Sequence, residues 1–281
     1  MSSDRVLRLF LRRTRATPID KDVVINRYPG LLDDAKEVHI SVTFTWDISR
    51  AKKLASVWEK RFPVKIGGPA MNMAGADFEP GMYLKKGYVI TSRGCPNKCW
   101  FCSVWRREGS KIRELPIREG WNVLDDNILA CSEKHVRKVF KMLHSQKNPV
   151  EFTGGLEAAR LQDWHVDLLA DLKPKQMFFA YDTPDDYEPL VMSGKKLLEI
   201  FPLSSRRLRA YVLIGYPKDT FEKAEIRLRQ SWKAGFFPMA MLWRDESGEM
   251  NTEWRKFQRL WARPAITINL LKNVGGWRKQ R

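Results

Sequence analysis

Cys95, Cys99 and Cys102 fall within the stretch TSRGCPNKCWFCSVWRREG, in a C-x3-C-x2-C spacing, and are three of only four cysteines in 281 residues. The fourth, Cys131, stands well apart. Four cysteines in a chain this long do not make a disulfide framework, and clustered cysteines without a secretory signal bind metal or do redox chemistry. A structural zinc site would need a fourth ligand. Cys131 or a histidine would have to supply it, because no second paired motif such as C-x2-C or H-x3-H is present. An electron-transfer cluster normally takes four cysteines and would also have to recruit Cys131. A third arrangement makes use of the shortage. A four-iron, four-sulfur cluster on three thiolates keeps one iron open to a small molecule.

Phe101 stands immediately before Cys102, so the full pattern is C-x3-C-x-aromatic-C. That is the motif of the radical S-adenosylmethionine enzymes, and the sequence resembles that superfamily over roughly 88–243. The resemblance implies a 4Fe-4S cluster on Cys95, Cys99 and Cys102, with S-adenosylmethionine chelated to the open iron. It implies reductive cleavage to a 5'-deoxyadenosyl radical, which abstracts hydrogen from a substrate. A low-potential donor such as a flavodoxin or ferredoxin would supply the electron, and the enzyme would be oxygen-sensitive. Phe101 and Trp100 would give the cluster apolar cover, or else simply pack in the core. Arg93 and Lys98 would favour thiolates and balance the cluster's charge.

The same resemblance assigns cofactor-binding residues at strand ends. VLDDNIL carries Asp125, Asp126 and Asn127 where the superfamily has a Gly-Gly-Glu-like segment for the methionyl ammonium. This chain departs from that pattern, and its D-D-N form looks like the cobalamin-associated branch. FTGGLEAAR brings Gly154, Gly155, Glu157 and Arg160. The glycines permit close backbone approach, and Glu157 and Arg160 would reach ribose hydroxyls and the methionyl carboxylate. Asp182 follows in FFAYDTPDD, while Gly215 and Tyr216 in YVLIGYPKDT fall in the region beside adenine. Read from the residues alone, each of these carboxylates is equally a helix N-cap or a surface acid. Cys131 is the weak catalytic candidate, as a hydrogen donor or covalent nucleophile, against the commoner fate of a buried structural thiol. One leftover cysteine argues against an auxiliary cluster, and so against methylthiotransferases.

These residues need a scaffold of strand ends. Apolar runs at Tyr88–Ser92, Asn122–Ile128, Val150–Gly155, Gln176–Asp182, Ala210–Tyr216 and Pro238–Trp243 read as strands. Helical stretches at His135–His144, Ala158–Leu172 and Phe221–Lys233 alternate with them, the last with Asp219 and Glu222 spaced as a capping box. Ser103 to Gly120 is only weakly helical. Repeated strand–helix units predict an α/β fold with parallel strands, a partial (β/α)6 barrel whose post-strand loops line one mouth.

Upstream, a strand at 37–47, a helix at 49–62 with Ser49 as N-cap, and a strand at 64–68 form a small β-α-β unit. It resembles the closing part of a cobalamin-binding domain. About 85 residues are too few for a complete one, no Asp-x-His-x-x-Gly segment exists, and His39 lies inside a strand. Cobalamin is therefore not expected. Val6–Leu11 reads as an edge strand, although the Arg-rich start also suits an organelle leader. The expected division is a truncated cap at 1–84, a radical core at 85–250 and a basic extension at 251–281.

The net charge of +17 is concentrated. Residues 85–113 carry +7 and residues 254–281 carry +8. Such patches attract phosphate or other polyanions, unless they are merely solvated faces. The expected partner is a small or anionic substrate, with nucleic acid also in view. A rival from another class is a non-catalytic, metal- or cluster-stabilised nucleic-acid-binding protein. The hydrophobic fraction of 43% suffices for a large core, and no apolar run is long enough to span a membrane, so a cytoplasmic setting is expected. The four histidines form no metal pattern and read as structural or surface residues.

Overall fold

The computed structural model describes residues 4–71 and 78–272 of the chain. It is mixed α/β with parallel sheets, in two compact units. One is Met1–Gly120 with Glu246–Gly248, the other Trp121–Asp245 with Glu249–Arg281. The expected boundary at 84/85 falls inside the first unit.

In the first unit β1 (Val6–Phe10), β2 (Val23–Ile25), β3 (Glu37–Ser41) and β4 (Val64–Gly67) form a parallel sheet in the order β2–β1–β3–β4. The cap is thus larger than a single β-α-β unit. Val6–Phe10 pairs on both sides, so the edge-strand expectation is corrected: the run is an inner strand. Leu7 and Leu9 point into the core with Val38, Ile40 and Val42. Helix α1 (Ile48–Trp58) adds Ala51, Leu54, Ala55 and Trp58, the predicted apolar face. It starts before Ser49, at an Asp47 N-cap that makes no capping bond. The Asp47 carboxylate is instead held at two points by Arg12, at 2.7 and 2.8 Å. His39 is buried in β3, with Nε2 2.7 Å from Glu37 and Nδ1 bonded to the Tyr83 hydroxyl. That is a structural histidine.

The chain continues through β5 (Tyr88–Val89), β6 (Ser92–Arg93), the one-turn helix α2 (Val104–Arg107) and β7 (Arg113–Glu114). The helical reading of Ser103–Gly120 is realised only as that single turn, after which β7 pairs antiparallel with β6.

The second unit contributes β8 (Asn122–Val123), β9 (Glu151–Leu156), β10 (Gln176–Tyr181), β11 (Leu208–Ile214) and β12 (Phe237–Leu242), parallel and in sequence order. Four of the predicted runs match closely. The Asn122–Ile128 run does not: only Asn122–Val123 pairs, and the chain then turns through Asp125 into a 3-10 turn at Ile128–Ala130. Helices α3 (Glu133–His144), α4 (Asp163–Leu172), α5 (Tyr187–Leu198) and α6 (Phe221–Lys233) connect the strands. The predicted Ala158 start of α4 is delayed, because Gln162 is extended and caps the helix. α5 is an addition. Pro189 and Gly194 disguise its periodicity, yet Gly194 is required, since a Cβ there would lie 1.9 Å from the Ala234 carbonyl.

The 251–281 stretch is structured as far as it is described. Helices α7 (Thr252–Trp261) and α8 (Pro264–Lys272) bury Trp261, Thr267 and Leu271, and the rings of Trp254 and Phe257 pack tilted against Phe221. Arg255, Lys256, Arg259 and Arg263 are exposed. The basic residues Arg278, Lys279 and Arg281 lie outside the described residues. Among the described residues no helix is long and apolar enough to cross a membrane.

Candidate functional site

The cysteine loop belongs to the first unit and is carried by the β6–β7 hairpin, whose register pairs Ser92 with Glu114 and Arg93 with Arg113. Gly94 opens the loop at φ +92, and a Cβ there would stand 2.3 Å from the Lys111 carbonyl. Only glycine lets the two arms approach this closely. The Cys95 N–H then donates to the Gly109 carbonyl at 3.3 Å. Farther round, the Cys102 N–H and the Trp105 indole N–H both donate to the Cys99 carbonyl, at 3.2 and 2.9 Å. At the base of the hairpin Arg113 holds the buried Glu108 carboxylate at 2.7 Å.

Cys95, Cys99 and Cys102 are each partly exposed. Trp100 is 50% exposed and meets Phe101 edge-on at 5.4 Å. Neither aromatic belongs to the buried core. Arg93 is buried, whereas Lys98 is exposed. As donors, three accessible soft thiols in one loop suit iron or zinc. Among the described residues, no group of three or more His, Cys, Asp or Glu side chains stands ready to hold a metal ion. The fit to a cluster is therefore one of donor chemistry.

The remaining predicted residues belong to the second unit. Asp125 and Asn127 are buried in the turn after β8, and Asp126 between them is half-buried. Gly154 in β9 lies so close that a Cβ would meet the Asp125 carbonyl at 2.3 Å, while one on Gly155, at φ +97, would meet nothing. Close backbone approach is thus made at Gly154 and not at Gly155. Just past β9, the Glu157 carboxylate accepts from Asn127 Nδ2 at 2.5 Å and Arg160 Nε at 2.6 Å. Asn127, from the VLDDNIL stretch, thus joins the predicted Glu157 and Arg160 in one cluster.

No protein-family model matches the chain, and no curated protein matches it. Its chemistry is read from its own groups.

Asp182 follows β10, and its amide donates to Asp186 at 2.9 Å. Crowding by neighbouring protein, with Asp186 close by, raises its pKa to about 7 against the pull of Arg227. Part of its surface still reaches solvent. Cys131 lies partly exposed after the 3-10 turn, its sulfur 4.0 Å from the Asn127 carbonyl.

Three further features escaped sequence reasoning. Asp219 is no N-cap; Thr220 caps α6, accepting from the Lys223 amide. The Asp219 side chain is fully buried and bound to buried Arg227 at 2.8 Å, while also accepting from the Gly215 amide at 2.8 Å. Arg227 also lies over the Tyr216 ring, with its carbon 5.0 Å from the centroid. A lone arginine on a helix face gives no sign of this role. His165 is the third. It is 2% exposed and sits at the third position of α4, where its ring accepts from the Gln162 amide. The Gln-x-x-His spacing before an apolar run was the available signal.

Proposed function

We propose that this chain is a radical S-adenosylmethionine enzyme, with its core strands and helices arranged as a partial parallel (β/α)6 barrel. The observation that carries the reading is the C-x3-C-x2-C loop with Phe101 before Cys102, its three thiols partly exposed on a glycine-pinned hairpin. The run of parallel strands joined by helices is the kind of scaffold such chemistry uses. When bound, the 4Fe-4S cluster and S-adenosylmethionine would supply a carbon-centred radical able to abstract hydrogen. Cys95, Cys99 and Cys102 would hold the cluster as thiolates, each on its own iron. They therefore need not close round one ion as zinc ligands must.

Around the nucleotide, Glu157 would accept ribose hydroxyls and Arg160 would face the methionyl carboxylate. Asp125 or Asp126 would take the methionyl ammonium, and Asp182 would be a further contact to the cofactor. A cytoplasmic setting, with a flavodoxin or ferredoxin as electron donor, completes the proposal.

The test is anaerobic reconstitution followed by iron and sulfide analysis and an assay for 5'-deoxyadenosine after reduction. Near four irons and four sulfides per chain, with nucleoside formed, is the expected result. One zinc and no iron would overturn it in favour of the nucleic-acid-binding alternative. The exposed basic face of α7, with Arg255, Lys256 and Arg259, is the surface that would then matter.

A further inference from the structure

Two helices in the second unit follow adjacent parallel strands, α3 after β8 and α4 after β9. Each must run back against its strand, so both begin at the carboxyl edge of the sheet. Their first turns share a cleft of about 390 Å³, lined by Cys131, Glu133, Arg160, Gln162, Trp164 and His165, among others. A helix start presents N–H groups that have no intrahelical acceptor and carries partial positive charge. In α3, Ser132 takes the His135 amide, and in α4 Gln162 and His165 cap one another. The amides of Glu133, Lys134, Asp163 and Trp164 are the ones that helix geometry leaves without a carbonyl.

His165 supplies the independent observation. Its Nδ1 accepts from the Gln162 amide at 3.0 Å, so the ring hydrogen sits on Nε2. That Nε2 is buried and has no acceptor among the described residues. A native protein rarely leaves such a donor unmatched. Burial lowers the His165 pKa to about 4, so near neutrality the ring is an uncharged donor. Arg160 spends Nε on Glu157 and keeps its terminal N–H groups for another acceptor. Glu133 is the one carboxylate in the lining, and Arg137 offsets it at 2.7 Å.

We propose that this cleft is an oxyanion site, which takes the phosphate or carboxylate group of a small acidic ligand between the starts of α3 and α4, with His165 Nε2 and Arg160 as side-chain donors. The inference rests on the second unit alone and holds whether or not the cysteine loop carries a cluster. It claims for this ligand the Arg160 guanidinium that the proposed function sets at the methionyl carboxylate, so the two readings compete for that residue.

Calorimetric titration of the full chain with inorganic phosphate, and separately with acetate, tests it. Saturable one-to-one binding is expected, and the better anion identifies the group. His165→Asn keeps an oxygen for the Gln162 amide but removes the Nε2 donor, and should weaken binding by about tenfold or more. His165→Gln places an N–H near the lost donor and should recover much of the affinity. Glu133→Gln, at an exposed position, should tighten binding a few-fold by deleting the opposing charge. The proposal fails if neither anion binds saturably. It also fails if His165→Asn and Glu133→Gln, both folded by thermal melt, bind like the parent. Iron content, assayed separately, reports on the cluster and not on this cleft.

Discussion

In the cysteine loop, the main chain does much of the holding, with the Trp105 indole and the Arg113–Glu108 pair beside it. The Gly94 close approach and the Cys99 carbonyl fix the path, and the thiols of Cys95, Cys99 and Cys102 stay partly exposed. At the strand ends of the second unit, side chains hold one another: Asn127 and Arg160 grip Glu157, and Arg227 grips Asp219. A reactive group fixed by backbone can be replaced with little structural loss, so its removal should register as chemistry. A group fixed by a buried partner cannot leave without stranding that partner, so its removal should register as stability.

The largest effect should come where structure changes least. Cys99→Ala, Cys95→Ala or Cys102→Ala should each reduce iron incorporation to near background and abolish 5'-deoxyadenosine formation, while the melting temperature of the iron-free chain moves little. Parallel iron analysis and thermal melts give both readings. Retention of nucleoside formation by any one variant would break the assignment of that thiol.

The opposite signature is expected at Arg227. Its side chain is 6% exposed and that of Asp219 0%, so Arg227→Met leaves an unpaired carboxylate in the interior. A loss of about 3–5 kcal/mol in denaturant unfolding is expected. Adding Asp219→Asn, which still accepts from the Gly215 amide, should restore most of it. A single variant that unfolds like the parent would mean that this pair is not what organises the end of β11.

The contrast also explains how far the sequence could be read. The cysteine loop is local: two short intervals and one aromatic identify it, and the strands around it are apolar runs bounded by turns. Parallel strands such as Gln176–Tyr181 bury both faces, so they appear as unbroken apolar stretches. Glu157 and Asn127 were legible as residues at strand ends, but their bond spans thirty positions and depends on the approach of Gly154 to Asp125. Asp219 was misread because its spacing from Glu222 is that of a capping box, while the competing partner, Arg227, lies two turns into the helix. Pro189 and Gly194 hid α5 for a related reason. Gly194 is selected by contact with Ala234, which propensity does not record.

Asp182 sharpens the comparison because its effect should depend on pH. Its pKa rises from 3.8 to about 7 on folding. Below the lower value it is protonated in both states. Between the two, the unfolded chain releases a proton that the folded chain keeps, so stability falls as pH rises and levels off above the folded pKa. Asp182→Asn should abolish that slope and be more stable than the parent by about 2 kcal/mol near pH 8, once water penetration is allowed for. The two proteins should converge toward pH 4. Parallel stability curves over that range would show that the carboxyl ionises freely.

The smallest structural effect should fall on Glu157, where the two kinds of site overlap. Glu157→Gln keeps an oxygen for Asn127 and removes the charge opposite Arg160, whose side chain is 38% exposed. An exposed pair of this kind contributes about 0.5–1 kcal/mol, so the melting temperature should fall slightly. If Glu157 also accepts ribose hydroxyls, S-adenosylmethionine binding to the reconstituted enzyme should weaken by about tenfold, because an ionised acceptor is exchanged for a neutral one. Equilibrium dialysis with the labelled nucleotide separates the two contributions. Weaker binding at near-parent stability would make Glu157 a nucleotide contact, whereas unchanged binding would leave it only the role of holding Asn127 and Arg160 together.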